Sequence, residues 1–248
     1  TPHAAPEPLN LVLAWAMIHP LLERYAQLLV GYCTDVRPGE NVLLNLELPA
    51  LPLARPLVRE VLRAGGVPHL RLSYPELTAD VLELAGDGYL DAEAGLEQAE
   101  IERTQAWIRV AAPTNTRALT GADSAKLGRL QKRLRGVSAH RIQKTRWCGT
   151  LFPTPAGAQE AGMSGDEYEH FVYGAMFLFD DDPVARWRAL HDEQARLIER
   201  LGRASEVRLQ ADGTDLTLNV SGRTWVNSDG HRNMPSGEVF TGPLETSA

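Results

Sequence analysis

The sequence predicts an α/β fold: a Rossmann-like, mostly parallel sheet flanked by helices, followed by β-hairpin strands that begin a second unit. Three observations carry this reading. Short apolar runs of strand length alternate with helix-period segments in the first half, the period changes from helical to two after Gly202, and turn residues punctuate the chain from there on.

Behind Pro20, Leu21, Leu22, Tyr25, Leu28, Leu29 and Tyr32 recur at steps of three and four, which predicts a packing helix ending near Cys33. Arg37-Pro38-Gly39-Glu40 reads as a turn. A strand is expected over 41–46, then a helix over 53–64 that Gly65-Gly66 stops, then a second strand over 67–73. A helical segment follows Pro75, with Leu77, Val81, Leu82 and Leu84 on its apolar side, and 107–112 makes a third strand. This rhythm implies βαβ units with right-handed crossovers and a sheet covered on both faces. Ligands gather beyond the carboxyl ends of such strands, which singles out Pro113-Thr114-Asn115-Thr116-Arg117. Asn and Thr in that position also satisfy backbone groups and cap the next helix, and that plainer role is the expected one. Neither GxGxxG nor GxxxxGK[ST] is present, so the sheet carries no dinucleotide or P-loop signature.

Between Ser124 and Gln159 the chain has eight cations and no Asp or Glu: Lys126, Arg129, Lys132, Arg133, Arg135, Arg141, Lys144 and Arg146. Leu127, Leu130 and Leu134 mark a buried stripe beneath them, so a solvated helix face is expected. The competing reading is a non-enzymatic α/β module that binds an anionic ligand or nucleic acid through the 126–146 stretch. Ser164 and Glu167 form a capping box, and Tyr168, Phe171, Val172, Ala175, Met176 and Phe179 make a core-facing stripe behind it. Asp180-Asp181-Asp182-Pro183 reads as a helix start rather than a metal site, and the helix runs through Trp187, Leu190, Leu197-Ile198 and Leu201 to Gly202. His170 and His191 lie on these helices without HExxH spacing.

After Gly202, 206–210 and 215–220 read as a hairpin with Leu216, Leu218 and Val220 on one face. Strands at 224–226 and 239–241 follow, with Asn227-Ser228-Asp229-Gly230 as a turn between them. A domain boundary is placed near 202–205, which gives an N-terminal α/β unit over 1–203 and a second unit beginning at 204–248.

The 248 residues are 44% hydrophobic and carry a formal charge of −7, which disfavours nucleic acid or an anionic membrane as partner of the whole molecule. Only three of the 25 cations are Lys, and no Arg cluster has interleaved aromatics. Cys33 and Cys148 make no CxxC and fit free thiols in a reducing compartment. The apolar stretch 11–22 is shorter than the ~20 residues that span a bilayer, and no Lys or Arg precedes it, so a cytoplasmic protein is expected. The chain starts at Thr1 and stops at Ser247-Ala248 after a strand signal, as a trimmed protein would.

The stretch Asn233-Met234-Pro235-Ser236-Gly237-Glu238-Val239-Phe240-Thr241 delivers one carboxylate from a stiff corner into a β-prone run. One carboxylate is not a site, since a catalytic metal takes three or more protein ligands. Together with Gly213-Thr214-Asp215-Leu216 and Gly222-Arg223-x-Trp225-x-Asn227-Ser228-Asp229-Gly230, however, this stretch resembles the aminopeptidase T family of thermophilic-type metalloaminopeptidases. The similarity runs through the chain: Val36-Arg37-Pro38-Gly39-Glu40, Asn115-Thr116-Arg117-Ala118-Leu119, Arg146-Trp147, Pro153-Thr154 and Ala161-Gly162-Met163-Ser164 share in it. The resemblance implies a cytoplasmic, homodimeric exopeptidase that removes N-terminal residues from peptides with two divalent metal ions (Zn, Co or Mg). It makes Glu238 the first metal-binding carboxylate and assigns no catalytic residue here. The family's other ligands lie in a C-terminal half that this chain does not carry, so Glu238 is expected to be an orphan in an inactive fragment that holds no metal stably. His231 and Asp229 match no family ligand and are expected to be a solvent His and a turn Asp.

Overall fold

The computed structural model describes residues 20–244, so most of the apolar 11–22 stretch and both chain ends lie outside the described residues. None of the described helices is long and apolar enough to cross a membrane.

The described chain opens with α1 (Pro20–Gln27), which continues as a π-helical segment (Leu28–Cys33). There follow β1 (Asn41–Glu47), a 3-10 turn, α2 (Leu51–Arg63), β2 (Val67–Ser73), α3 (Leu77–Leu84), the short α4 (Asp87–Leu90), α5 (Gly95–Glu102) and β3 (Ala106–Ala111). The next elements are α6 (Ser124–Arg133), α7 (Arg135–Lys144), β4 (Arg146–Leu151), α8 (Pro155–Glu160), α9 (Gly165–Ala175) and α10 (Pro183–Leu201). Caps fix several starts: Asp123 accepts from the amides of Ala125 and Lys126, Ser164 and Glu167 close the expected capping box, and Asp182 accepts from Ala185 with Pro183 behind it. The last part holds β5 (Glu206–Ala211), β6 (Thr214–Asn219), β7 (Val226–Ser228), β8 (Asn233–Met234) and β9 (Glu238–Phe240).

Five strands form one parallel sheet in the order β2-β1-β3-β4-β8. β5 with β6, and β7 with β9, form two separate antiparallel pairs. Helix α10 ends at Leu201, beside the boundary read from the sequence, yet β8 returns to pair with β4. The last forty residues are therefore stitched into the first sheet as well as beginning new strands.

The sheet is flanked by helices, as expected, and its two faces differ in character. Val42, Leu44, Leu46, Ala106, Ile108, Val110 and Cys148 are in register on one face and fully buried. Tyr25, Leu28, Leu29, Leu53, Leu57, Met176, Leu178 and Trp187 join them in one core. The opposite face carries Trp107, Arg109 and Trp147. There Arg141 of α7 lies over the rings of Trp107 and Trp147, 4.9 and 4.5 Å from their centres, while Arg109 stays exposed. Because successive strand residues face opposite ways, an alternating Trp-x-Arg pattern on β3 gives one dry face and one amphipathic face.

Some core assignments fail. Phe171 and Phe179 are exposed, and Phe179 instead stacks on His170 at 4.5 Å, whereas Val172, Tyr173 and Met176 carry the buried side. Leu197 of α10 is exposed as well. In the hairpin only Val220 of the three expected face residues is fully buried. Both cysteines are buried free thiols, and burial pushes Cys33 well above the ordinary thiol range.

Candidate functional site

The chain from Val226 to Phe240 builds a corner whose parts are held from several sides. At its base, Gly149 of β4 donates its N–H to the Arg232 carbonyl at 2.8 Å, and the Thr150 hydroxyl donates to the Met234 carbonyl at 2.6 Å. The Tyr25 hydroxyl of α1 donates to the Leu151 carbonyl at 2.8 Å and also hydrogen-bonds Thr150 Oγ1. Beyond Met234 the Met234-Pro235 bond is cis and Gly237 has φ +110°, which turns the chain into β9. The turn is closed by the Gly237 N–H on the Ser228 carbonyl at 2.9 Å and by Ser236 Oγ against Ser228 Oγ at 2.7 Å. Glu238 then stands opposite Ser228, exposed on the first residue of β9.

Glu238 lines a cleft of about 490 Å³ with Trp147, Trp225, Asn227, Asp229, His231, Arg232 and Phe240. Trp225 Nε1 and Asn227 Oδ1, along one wall, are buried without hydrogen-bond partners. A second cleft of about 570 Å³, lined by Tyr32, Arg146, Arg188, His191 and Asp192, meets the first at His231.

Where the clefts meet, the structure brings together three residues that sequence reasoning kept apart. Asp229 has a side chain only 10% exposed and accepts from His191 Nδ1 on α10 at 2.7 Å and from His231 Nδ1 at 2.8 Å. Burial alone would raise its carboxyl, but the hydrogen bonds from His231 and His191 outweigh burial and hold it below the ordinary carboxylate range. The Tyr32 hydroxyl donates to the Asp229 main-chain carbonyl at 2.9 Å, with its ring 4.6 Å from that of His231. Burial first, and then the Asp229 carboxylate, push the Tyr32 phenol upward, so it remains a donor. Asp229 is thus no solvated turn residue, and His231 is engaged rather than free. A spacing of 38 residues between His191 and Asp229 gives no sequence signal; the Asp229-x-His231 adjacency was the one local hint. Gly230 is forced here by φ +100° and by space: a Cβ would lie 2.7 Å from Met234 Cε and 3.2 Å from Tyr32 Cε1.

The other sequence candidates are occupied locally. Asn115 Oδ1 accepts from the Arg117 N–H at 2.9 Å, Thr116 and Arg117 both reach Glu160, and Thr114 hydrogen-bonds Glu76. In the basic stretch Arg129 pairs with Asp87 and Asp91, Arg133 with Glu97, Arg146 with Glu40, and Lys126 donates to the Leu82 carbonyl, while Arg141 lies over the tryptophans. Most of that charge is spent inside the fold, which removes the basis for an anion-binding patch.

Among the described residues no three His, Cys, Asp or Glu side chains are arranged to hold a metal ion. The imidazoles of His191 and His231 both turn Nδ1 toward Asp229, and each Nε2, across its ring, points away from that shared partner. Glu238 on its own does not fit a dinuclear centre.

Comparisons with known proteins agree with one another. The chain is 27% identical over 250 residues to aminopeptidase 2 of Geobacillus stearothermophilus and 28% identical over 253 residues to aminopeptidase AmpS of Bacillus subtilis, covering 90% of this chain and 60% of each relative. It therefore spans about 60% of the length of the curated relatives it matches. Its fold matches wild-type AmpT of Thermus thermophilus with a TM-score of 0.69 at 24% identity, over 90% of this chain and 61% of that one. The family model described as thermophilic metalloprotease (M29) matches residues 18–248, and the chain belongs to that family.

Proposed function

We propose that this chain is the N-terminal part of a metal-dependent aminopeptidase that hydrolyses N-terminal residues from peptides. The observation that carries the reading is the family match over residues 18–248, together with relatives named as aminopeptidases. In this reading the α/β unit that ends near residue 203 shapes access, and the strands after it are the first of the metallopeptidase unit. Glu238 gives one ligand to a pair of divalent ions (Zn, Co or Mg), and the other ligands lie outside this chain. Such ions polarise a peptide carbonyl and activate water. No step of the hydrolysis is assigned to the residues present, whose part is to hold Glu238 at the cleft and to wall that cleft with Trp225 and Asn227. The partners are peptides with a free N-terminus, and the complete protein is a cytoplasmic homodimer.

Incubation of this chain with aminoacyl-p-nitroanilides and Co²⁺, Zn²⁺ or Mg²⁺ is expected to give no Glu238-dependent turnover; substantial turnover would overturn the fragment reading. In a protein of full family length, Glu238→Ala is expected to lower metal content and turnover by more than the roughly 10–100-fold typical of lost outer-sphere support. Full activity with full metal content in that variant removes Glu238 from the ligand set.

A further inference from the structure

Asp229 joins three elements at one point. Its two carboxylate oxygens accept from different imidazoles, His191 on α10 and His231 in its own loop. Its carbonyl accepts from Tyr32 at the end of the helical segment after α1. Two residues earlier, Asn227 Nδ2 donates to the His191 carbonyl at 3.1 Å, which makes a second tie between the corner and the same turn of α10. The chain from Asp229 to Glu238 has only the two-residue β8 as regular support on the sheet side. A buried carboxylate with both oxygens engaged in charge-assisted hydrogen bonds is a strong, directional tether.

We propose that Asp229 is a positioning residue: clamped between His191 and His231, its carboxylate fixes the corner over 226–240 to α10 and thereby sets the direction in which Glu238 points. The proposal rests on the metal-ligand reading of Glu238 only for what the corner serves; the clamp is a property of this chain by itself. His191 carries the tie between elements, whereas His231 closes the loop on itself, so the two histidines contribute unequally.

Amide hydrogen exchange of this chain, read peptide by peptide, tests the clamp. Asp229→Ala is expected to speed exchange over 226–240 at least about tenfold, the scale of one charge-assisted hydrogen bond, while β1 and β3 keep their protection. His191→Ala should reproduce most of that effect and His231→Ala less of it. Asp229→Asn should restore part of the protection, because the amide accepts from one imidazole and donates to the other. Unchanged exchange over 226–240 in both Asp229→Ala and His191→Ala overturns the clamp, as does an equal rise throughout the sheet. If Asp229→Ala does not fold, the half-exposed His191→Ala carries the test. Glu238→Gln should exchange like the parent chain, so failure of the clamp shows in these rates and failure of the metal reading shows only in turnover and metal content.

Discussion

At Asp229 a buried acid is kept ionised by two imidazoles, and this gives the corner a dependence on pH whose sign is fixed. The folded-state carboxyl lies below its ordinary value, because the bonds from His231 and His191 outweigh burial. A depressed carboxyl contributes stability that is present above the unfolded value, about 3.9, and is lost as pH falls through the folded one. Besides the two histidines, the charged or titratable groups around it include Tyr32 and Cys33 on the segment after α1, Arg188 on α10, and Arg232 and Glu238 in the same cleft. The urea midpoint of the parent chain should therefore exceed that of Asp229→Asn at pH 5, and the gap should close on acidification below about pH 4. A gap that persists unchanged to pH 3 would mean that the Asp229 charge contributes nothing to stability. Beyond the Asp229-x-His231 adjacency, little of this could be read from the sequence, where Asp229 had the neighbours of an ordinary turn and His191 the neighbours of an ordinary helix.

At the scale of elements, β8 explains why part of the sheet was invisible. A two-residue strand has no period to detect, and β4, Arg-Trp-Cys-Gly-Thr-Leu, breaks its apolar alternation with Gly149 on one face and Thr150 on the other. Both residues tie β4 to β8. Gly149 donates its N–H to the Arg232 carbonyl, and the Thr150 hydroxyl reaches the Met234 carbonyl in a dry core beside Tyr25. Thr150→Val keeps the shape and removes the donor, which leaves a buried carbonyl unpaired and should cost ~1–3 kcal/mol in urea unfolding. Tyr25→Phe, which leaves Thr150 in place, should cost less, about 0.5–1.5 kcal/mol. Equal losses would place the stabilising bond at the Leu151 carbonyl instead. By contrast β1, β2, β3, the capping box and the hairpin were legible, because each rests on local period or local hydrogen bonding. The Glu238 corner was legible as a corner through its Pro-x-Gly pattern, though not in what holds it.

Across the whole molecule, stability should fall off from the parallel sheet toward the strands after α10. The sheet buries one continuous face, with Val42, Leu44, Leu46, Ala106, Ile108 and Val110 excluded from solvent. The β5–β6 pair has only each other as strand partners, and Leu209 and Leu216 remain 50% and 37% exposed. An isolated two-stranded pair is marginal in water, so its inter-strand bonds should open locally without unfolding the rest. Amide exchange over 206–219 should accordingly be on the order of 100-fold faster than in β1 and β3 of the same chain. Leu209→Thr and Leu216→Thr, which lower β-surface hydrophobicity without touching the sheet, should leave the global unfolding midpoint within about 0.5 kcal/mol of the parent. Protection of the hairpin equal to that of β1 would show that it unfolds only with the core, and a large global loss in the leucine variants would point the same way. The gradient expected here places the firmest structure in the parallel sheet and the loosest in the strands proposed to begin the metallopeptidase unit. The corner carrying Glu238 lies between them, tied to the firm side through Thr150 and Asp229.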